Sequence, residues 1–164
     1  TKSCSRHDSQ EKKEDRLMDL ERLQKQLSLE EGVRNLAYKD SKGIWTIGIG
    51  HNIETRPISD LAVKVIFEQD VDTVVSLLDK YLPWWKELDD VRQNALVDLG
   101  FNLGVGPSSE DPTGKLLLFT GTLEVLKNKD YEECAKHLEG TLWYKQVGSR
   151  ALRVVKMIRT GEWS

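Results

Sequence analysis

Cysteine is scarce in this chain of 164 residues, in which Cys4 and Cys134 are the only two. At most one intramolecular disulfide can therefore form, and the fold cannot depend on a disulfide framework. Cys134 shares a helical apolar spacing with Ala135 and Leu138, which favours a core position and leaves the bridge as the weaker alternative. Neither cysteine belongs to a CxxC pair, and His7 has no neighbouring ligand, so we expect neither a metal site nor a cofactor.

An excess of basic residues and a long apolar run are also missing. The chain has 24 Lys and Arg against 27 Asp and Glu, a formal net charge of −3 at pH 7, so it lacks the basic surface that nucleic-acid binding requires. No apolar run approaches the roughly 20 residues of a membrane-spanning helix. We therefore expect neither a nucleic-acid partner nor stable membrane insertion of the chain as given. Its length fits one domain, or two lobes that share a helix.

The most informative part of the sequence is the segment 31–51, EGVRNLAYKDSKGIWTIGIGH. Before it, leucines recur at intervals of three and four, which predicts an amphipathic helix that ends at Gly32. These leucines are Leu20, Leu23 and Leu27. Glu31 would then lie in the last turn, where the negative end of the helix dipole, together with any burial, favours the neutral form of a carboxyl group. The pattern makes Glu31 a candidate proton donor.

A second carboxylate and a hydroxyl follow Glu31 closely. Residues 40–43, DSKG, have the composition of a turn, and residues 44–49, IWTIGI, have that of a strand. Side chains alternate along a strand, so Thr46 would share its face with two glycines and point to an open side with room for a ligand. Asp40 lies in the turn with a lysine on either side, and we expect it to stay ionised.

The order and spacing of these residues are those of a known family. Glu31, then Asp40 after eight intervening residues, then Thr46 after five more, stand in the blocks EG, YKDSKG and WTIGIGH. This segment strongly resembles the catalytic segment of the phage-type lysozymes, the T4 lysozyme-like muramidases of glycoside hydrolase family 24. The resemblance covers roughly residues 22–163 and continues through FEQDVD, RQNALVDLGFNLG and WYKQVGSRALRVVKMIRTGEW.

The resemblance implies an α+β fold that is mostly α. This lysozyme-like two-lobe fold has a small antiparallel β-sheet in the N-terminal lobe, a long connecting helix and a helical C-terminal lobe. We predict an N-terminal extension over residues 1–21 and a lysozyme domain over residues 22–164. Within the domain we expect the N-terminal lobe at about 22–58, the connecting helix at about 59–82 and the C-terminal lobe at about 83–164.

Two segments differ from the family pattern. Residues 1–21 begin polar and charged, and we interpret them as a solvated arm or an extension of the first helix, with a tether or the remainder of an exported leader as alternatives. The loop at about 105–114, VGPSSEDPTG, is longer than the family's usual connection. We interpret this loop as a surface insertion, and a rim of the binding cleft is the alternative.

The resemblance also implies roles for individual residues. Glu31 would protonate the leaving oxygen of a glycosidic bond, Asp40 would stabilise positive charge at the anomeric carbon or assist the incoming water, and Thr46 would hold that water. The resemblance further implies two pairs, one between Arg150 and Glu31 and one between His51 and Asp70. The substrate-binding positions that it implies are Phe101, Asn102, Thr122, His137 and Arg150.

The favoured function is that of a lysozyme, an N-acetylmuramidase that hydrolyses the β-1,4 bond between N-acetylmuramic acid and N-acetylglucosamine in bacterial peptidoglycan. As a phage or prophage endolysin it would be a monomer, made in the cytoplasm of the bacterial host, that acts in the periplasm and cell wall to lyse the cell. The alternatives are a wall-penetrating lysozyme module of a phage tail or secreted effector, and a non-catalytic glycan-binding relative. The intact Glu31, Asp40 and Thr46 argue against the last. The first residue is Thr, so the export route stays open.

Overall fold

The computed structural model describes residues 19–164, so Cys4, His7 and nearly all of the predicted extension 1–21 lie outside the described residues. Within the described range, seven α-helices and a small three-stranded antiparallel sheet confirm the predicted α+β, mostly α fold. The chain divides into two compact units, the first ending at Asp60 and the second beginning at Leu61. No helix among these residues is long and apolar enough to cross a membrane.

Helix α1, Leu20–Glu31, opens the described part of the first unit. The side chain of Asp19 caps its start by accepting a backbone N–H at 3.1 Å. At its end, the N–H of Gly32 donates to the carbonyl of Ser28 at 3.1 Å, and Gly32 has a φ of 75°, which glycine adopts without steric cost. The predicted end of the helix at Gly32 is confirmed. Glu31 is therefore the last helical residue.

Three short strands follow α1 in the first unit. They are β1, Arg34–Lys39; β2, Trp45–Gly48; and β3, His51–Asn52. Strand β2 is the middle strand and pairs antiparallel with both neighbours, so that Thr46 lies opposite Tyr38 on one side and opposite Asn52 on the other. The strand predicted over 44–49 is therefore confirmed as the centre of the sheet, whereas the sequence did not predict β3.

Helices make up the second unit. They are α2, Asp60–Tyr81; α3, Asp90–Leu103; α4, Thr120–Lys127; α5, Tyr131–Glu139; α6, Leu142–Val147; and α7, Ser149–Thr160. Two 3₁₀-helices, Pro83–Glu87 and Leu116–Leu118, lie between them. Helix α2 begins at the last residue of the first unit and ends before Pro83, which cannot continue a helix.

The core of the second unit includes only the C-terminal half of α2. Leu78 is fully buried and Val74 is nearly so, but Phe67, in the N-terminal half, is 55% exposed. The steps of four, three, four and three between Phe67, Val71, Val74, Leu78 and Tyr81 predict one continuous apolar stripe on this helix. The core of the second unit buries that stripe only beyond the middle of the helix. Helix α3 packs closely against the buried half, since a Cβ added at Gly100 would lie 2.9 Å from a methyl carbon of Val74. Helices α2 and α3 are therefore in close contact at Gly100 and Val74.

Helices α3 and α7 run antiparallel and are joined near both ends. Close to the start of α3, the guanidinium of Arg92 donates to the carbonyls of Ile158 at 2.7 Å and Arg159 at 3.3 Å, and it stacks on the Tyr131 ring at 3.5 Å. These bonds satisfy carbonyls at the end of α7 that have no partner within the helix. The two helices carry several of the predicted substrate-binding residues, and this pairing sets the relative positions of those residues.

Cys134 lies in the core, as its apolar spacing predicts. It is fully buried on α5, and its thiol is free. Burial, together with the charge of Asp130, raises the pKa of the Cys134 thiol to about 12. The thiol therefore stays neutral at physiological pH and behaves as a small apolar side chain.

Candidate active site

Asp40 forms the turn that joins β1 to β2. Its Oδ1 accepts hydrogen bonds from the backbone N–H groups of Lys42 at 2.8 Å and Ile44 at 2.9 Å. The backbone closes the same turn, with the Asp40 N–H donating to the Ile44 carbonyl at 3.0 Å. The predicted turn is confirmed, and its mechanism is that of an Asx turn. One carboxylate oxygen is thus used to fix the orientation of the group, while Oδ2 has no hydrogen bond within residues 19–164.

Thr46 lies on the central strand and is only 4% exposed. The expectation that it faces an open side is wrong, because its side chain is almost completely covered. Its hydroxyl donates to the carbonyl of Ile44 at 3.1 Å. This bond directs the hydroxyl hydrogen toward the backbone and leaves the oxygen lone pairs as acceptors.

Glu31 ends α1 and is exposed to solvent. Its carboxylate lies against the turn between β2 and β3, because a Cβ added at Gly50 would come within 3.6 Å of Oε2. Gly50 also has a φ of 72°, which side-chain-bearing residues rarely adopt. The sequence predicts that Gly50 shares a strand face with Thr46, and the structure places it in the turn after β2, beside Glu31. The first unit therefore brings the helix-end carboxylate up to the sheet turn that follows Thr46.

In the second unit, Arg150 pairs with a residue that the sequence analysis did not identify. Its Nε donates to Oδ1 of Asp98 at 2.7 Å, and its Nη2 donates to the backbone carbonyl of Asp98 at 3.3 Å. Asp98 lies one helical turn before Phe101 on α3, a spacing that could have suggested a shared face. Arg150, Asp98 and Phe101 line one cleft of about 530 Å³. The structure therefore brings two of the five predicted substrate-binding residues together.

Phe101 and Asn102 are adjacent on α3 but have different surroundings. Phe101 is 41% exposed, and its ring lies 6.1 Å from that of Phe67 in a tilted arrangement. The side-chain oxygen of Asn102 accepts a hydrogen bond from the indole of Trp143 at 2.7 Å. Phe101 thus offers an apolar surface to a ligand. The side-chain oxygen of Asn102 is already bonded to Trp143, and its NH₂ group is not.

The remaining predicted substrate-binding residues lie on α4 and α5. Thr122 is 8% exposed, because it lies on the face of α4 that carries the buried Leu123 and Leu126. Its role in substrate binding stays a prediction. His137 is partly exposed, and its Nε2 lies 3.5 Å from a carboxylate oxygen of Glu133 one turn earlier. Of the two, His137 has the surface that a ligand could reach.

The loop at 105–114 is anchored to α2. Glu110 accepts hydrogen bonds from Lys80 and Tyr81 at the end of that helix, the latter at 2.7 Å. Asp111 closes the loop on itself by accepting the N–H of Gly106 at 3.0 Å. The loop also borders a second cleft of about 330 Å³ together with Phe101. These contacts fix the loop to the second unit, and its interpretation as a surface insertion, with a rim of the binding cleft as the alternative, stays a prediction.

The two pairs that the resemblance implies each join residues of different units. Arg150 bonds to Asp98 in its own unit, and its pairing with Glu31 stays a prediction. The Nε2 atom of His51 is buried and has no hydrogen-bond partner in the described part of the chain. Its pairing with Asp70 likewise stays a prediction.

A mostly helical α+β fold with a carboxylate at a helix end, a second in a hairpin turn and a threonine on the central strand fits the lysozyme class of glycoside hydrolases. Comparison with known protein families matches residues 28–159 to the phage lysozyme family. The chain belongs to that family. The matched range contains Glu31, Asp40 and Thr46, and also all five predicted substrate-binding residues.

Individual relatives agree with this assignment at modest identity. Probable T4-type lysozyme 1 of Dictyostelium discoideum is 26% identical over 164 residues, covering 82% of this chain and 92% of the relative. Probable T4-type lysozyme 2 of the same organism is 24% identical over 168 residues, covering 85% and 94%. The pre-baseplate central spike protein Gp5 of Enterobacteria phage T4 is 29% identical over 163 residues, covering 82% of this chain and 27% of that protein. Family membership supports a glycoside hydrolase of the lysozyme type with peptidoglycan as substrate.

Proposed function

We propose that this protein is an N-acetylmuramidase that hydrolyses the β-1,4 bond between N-acetylmuramic acid and N-acetylglucosamine in bacterial peptidoglycan. The observation that carries the proposal is the intact Glu31, Asp40 and Thr46 pattern within the family match, with each residue on a separate, well-defined element. Cleavage of such a bond needs a proton for the leaving oxygen and a negative charge near the oxocarbenium-like centre. Two carboxyl groups can divide these tasks.

In the proposed mechanism Glu31 is the general acid. Its neighbour Gly50 has no side chain, so the carboxyl group can meet the glycosidic oxygen without obstruction from that position. Asp40, oriented by two backbone N–H groups, places its free Oδ2 where it can stabilise positive charge or assist a water molecule. The Thr46 oxygen accepts a hydrogen bond from that water, since its own hydrogen is directed to the Ile44 carbonyl.

A water on the face of the sugar opposite the acid implies inversion at the anomeric carbon. The two carboxyl groups of an inverting enzyme stand about 6.5–9.5 Å apart, which leaves room for the water, against about 5–5.5 Å in a retaining enzyme. NMR of the reaction on a soluble peptidoglycan fragment identifies the anomeric configuration of the first product. The α anomer as first product is expected, and a β product would refute the role given to Thr46 and the water.

The test of the function is lysis of chloroform-treated Gram-negative cells by wild type and by the Glu31→Gln variant. The variant keeps the shape of the side chain but has no proton to transfer, so lysis should fall at least about 100-fold, the low end of what general acid catalysis contributes. Glu30→Gln is the matched control, because Glu30 is the preceding residue on α1 and is also exposed. Equal loss in both variants, or full activity of Glu31→Gln, would contradict the assignment.

The biological role that we propose is host-cell lysis by a phage or prophage enzyme that acts in the periplasm and cell wall. Similarity to two T4-type lysozymes over more than nine tenths of their lengths favours a self-contained lysozyme activity. The second candidate is a lysozyme module of a phage particle, which the match to part of a pre-baseplate central spike protein favours. Lysis from within by the expressed chain supports the first role, and activity only when added from outside supports the second.

A further inference from the structure

Two different oxygens of one residue hold Arg150. Nε donates to the Asp98 carboxylate at 2.7 Å and Nη2 donates to the Asp98 backbone carbonyl at 3.3 Å. Two attachment points fix the plane of a guanidinium as well as its position. The support is rigid, because Leu96 and Leu99 on the same helix are at most 2% exposed. Asp98 therefore determines which way Arg150 points.

The helix that carries Arg150 does not benefit from a cation at this position. Arg150 lies in the first turn of α7, where the helix dipole disfavours positive charge. Arg159, on the same helix, lies at the opposite end, where a positive charge is favoured. It lies in the last turn, is exposed to the same 33%, and donates to two carboxylates, Glu132 at 3.0 Å and Glu139 at 3.0 Å. Arg159 has the position of a structural arginine with respect to the helix dipole, and Arg150 does not.

Arg150 also retains hydrogen-bonding capacity. Its Nη1 makes no hydrogen bond to any residue of the second unit, and the side chain lines the cleft of about 530 Å³ beside Phe101. A guanidinium donates and never accepts, so the group that Nη1 meets has to be a hydrogen-bond acceptor, such as a carboxylate, carbonyl or hydroxyl oxygen. A glycan with acetamido groups supplies such oxygens.

We propose that Asp98 is a positioning residue for the hydrolase: it orients Arg150 so that Nη1 is presented to an oxygen acceptor during the reaction. This inference rests on the proposed lysozyme function. Asp98 itself does not touch the substrate in this proposal, so all of its effect on the reaction passes through Arg150. A double-mutant cycle measures that dependence.

The experiment compares kcat/KM on soluble peptidoglycan fragments for wild type, Asp98→Ala, Arg150→Ala and the double variant, each corrected for the folded fraction. Loss of a hydrogen bond to a charged group should lower kcat/KM roughly tenfold in Asp98→Ala. In the Arg150→Ala background the same substitution should change kcat/KM by less than about twofold. Asp98→Asn keeps an oxygen acceptor in place and should restore most of the loss, which also covers the case in which Asp98→Ala folds poorly.

Arg159→Ala is the control, because Arg159 shares the helix, the exposure and the carboxylate pairing of Arg150. It should lower the melting temperature and leave kcat/KM of the folded protein unchanged. Additive effects of Asp98→Ala and Arg150→Ala, or an Asp98→Ala variant with wild-type kcat/KM, would overturn the positioning role while wild-type activity upholds the proposed function. A wild type that does not cleave the fragments would overturn both.

Discussion

The indole N–H of Trp143 donates a hydrogen bond to the side-chain oxygen of Asn102 over 2.7 Å. Trp143 is 5% exposed, so this bond lies at the edge of the core, and it joins residues 41 positions apart in the sequence. The oxygen of the Asn102 amide is held by this bond, and the NH₂ group has no partner in the described chain. The NH₂ group of Asn102 is therefore available to donate hydrogen bonds to a glycan.

Replacing Asn102 with Ala should destabilise the fold as well as weaken binding. The nearly buried indole N–H would lose its partner, which costs about 1–3 kcal/mol of unfolding free energy. Urea denaturation measures this cost. Asn94→Ala is the matched control, because Asn94 is exposed on the same helix and should change stability by less than about 0.5 kcal/mol. Similar losses in the two variants would show that the indole bond contributes nothing.

Thr46 can be tested with two conservative substitutions. Thr46→Val keeps the shape of this nearly buried side chain but removes the oxygen that is proposed to hold water, so kcat should fall by about 100-fold or more. Thr46→Ser keeps the hydroxyl and its bond to the Ile44 carbonyl, and it should retain most of the activity. Steady-state kinetics on soluble fragments separate the two. Equal activity of the valine and serine variants would rule out a role for the hydroxyl.

Gly50→Ala should reduce both stability and activity. The residue has a φ of 72°, where a side chain costs about 1–2 kcal/mol, and the added Cβ would lie 3.6 Å from the Glu31 carboxylate. Gly43→Ala is the control, since Gly43 has a φ of 79° and nothing within 4 Å of its added Cβ. Both variants should melt earlier, and only Gly50→Ala should lose kcat when equal amounts of folded protein are compared. Loss of kcat in neither variant would contradict the placement of Gly50 beside the acid.

The loop anchored by Glu110 predicts a specific dependence of stability on pH. Hydrogen bonds from Lys80, then Tyr81 and Ser109, lower the pKa of Glu110 from 4.5 to about 2. A carboxylate whose pKa is lower in the folded state stabilises the fold above its unfolded pKa, and this contribution is lost as pH falls through the folded pKa. The melting temperature of wild type should therefore exceed that of Glu110→Gln by a constant amount above about pH 5. The difference should shrink between pH 4.5 and pH 2.

The control for this measurement is Glu87→Gln, since Glu87 is exposed and no carboxylate bond of the described chain involves it. Its difference from wild type should stay flat over the same pH range. A flat difference for Glu110→Gln as well would mean that the contacts with Lys80 and Tyr81 do not persist in solution.

The sequence by itself determined the local parts of the candidate site. The end of α1 at Gly32, the turn at Asp40 and the strand that carries Thr46 were all predicted and are all observed. Each depends on the backbone preferences of a few consecutive residues: glycine at positive φ, an aspartate that bonds to nearby N–H groups, and side-chain alternation. Such preferences are present in the sequence itself, wherever the segment lies in the fold.

Only the tertiary structure decided which distant residues share a surface. Arg150 pairs with Asp98 across 52 residues, Thr46 is covered on the central strand, and Phe67 is exposed although its spacing predicts burial. The spacing of apolar residues predicts which face of a helix is apolar. It does not predict which other helix packs against that face, or how much of the helix length is buried there. Burial and long-range pairing depend on how the helices meet, and that arrangement is a property of the packed core.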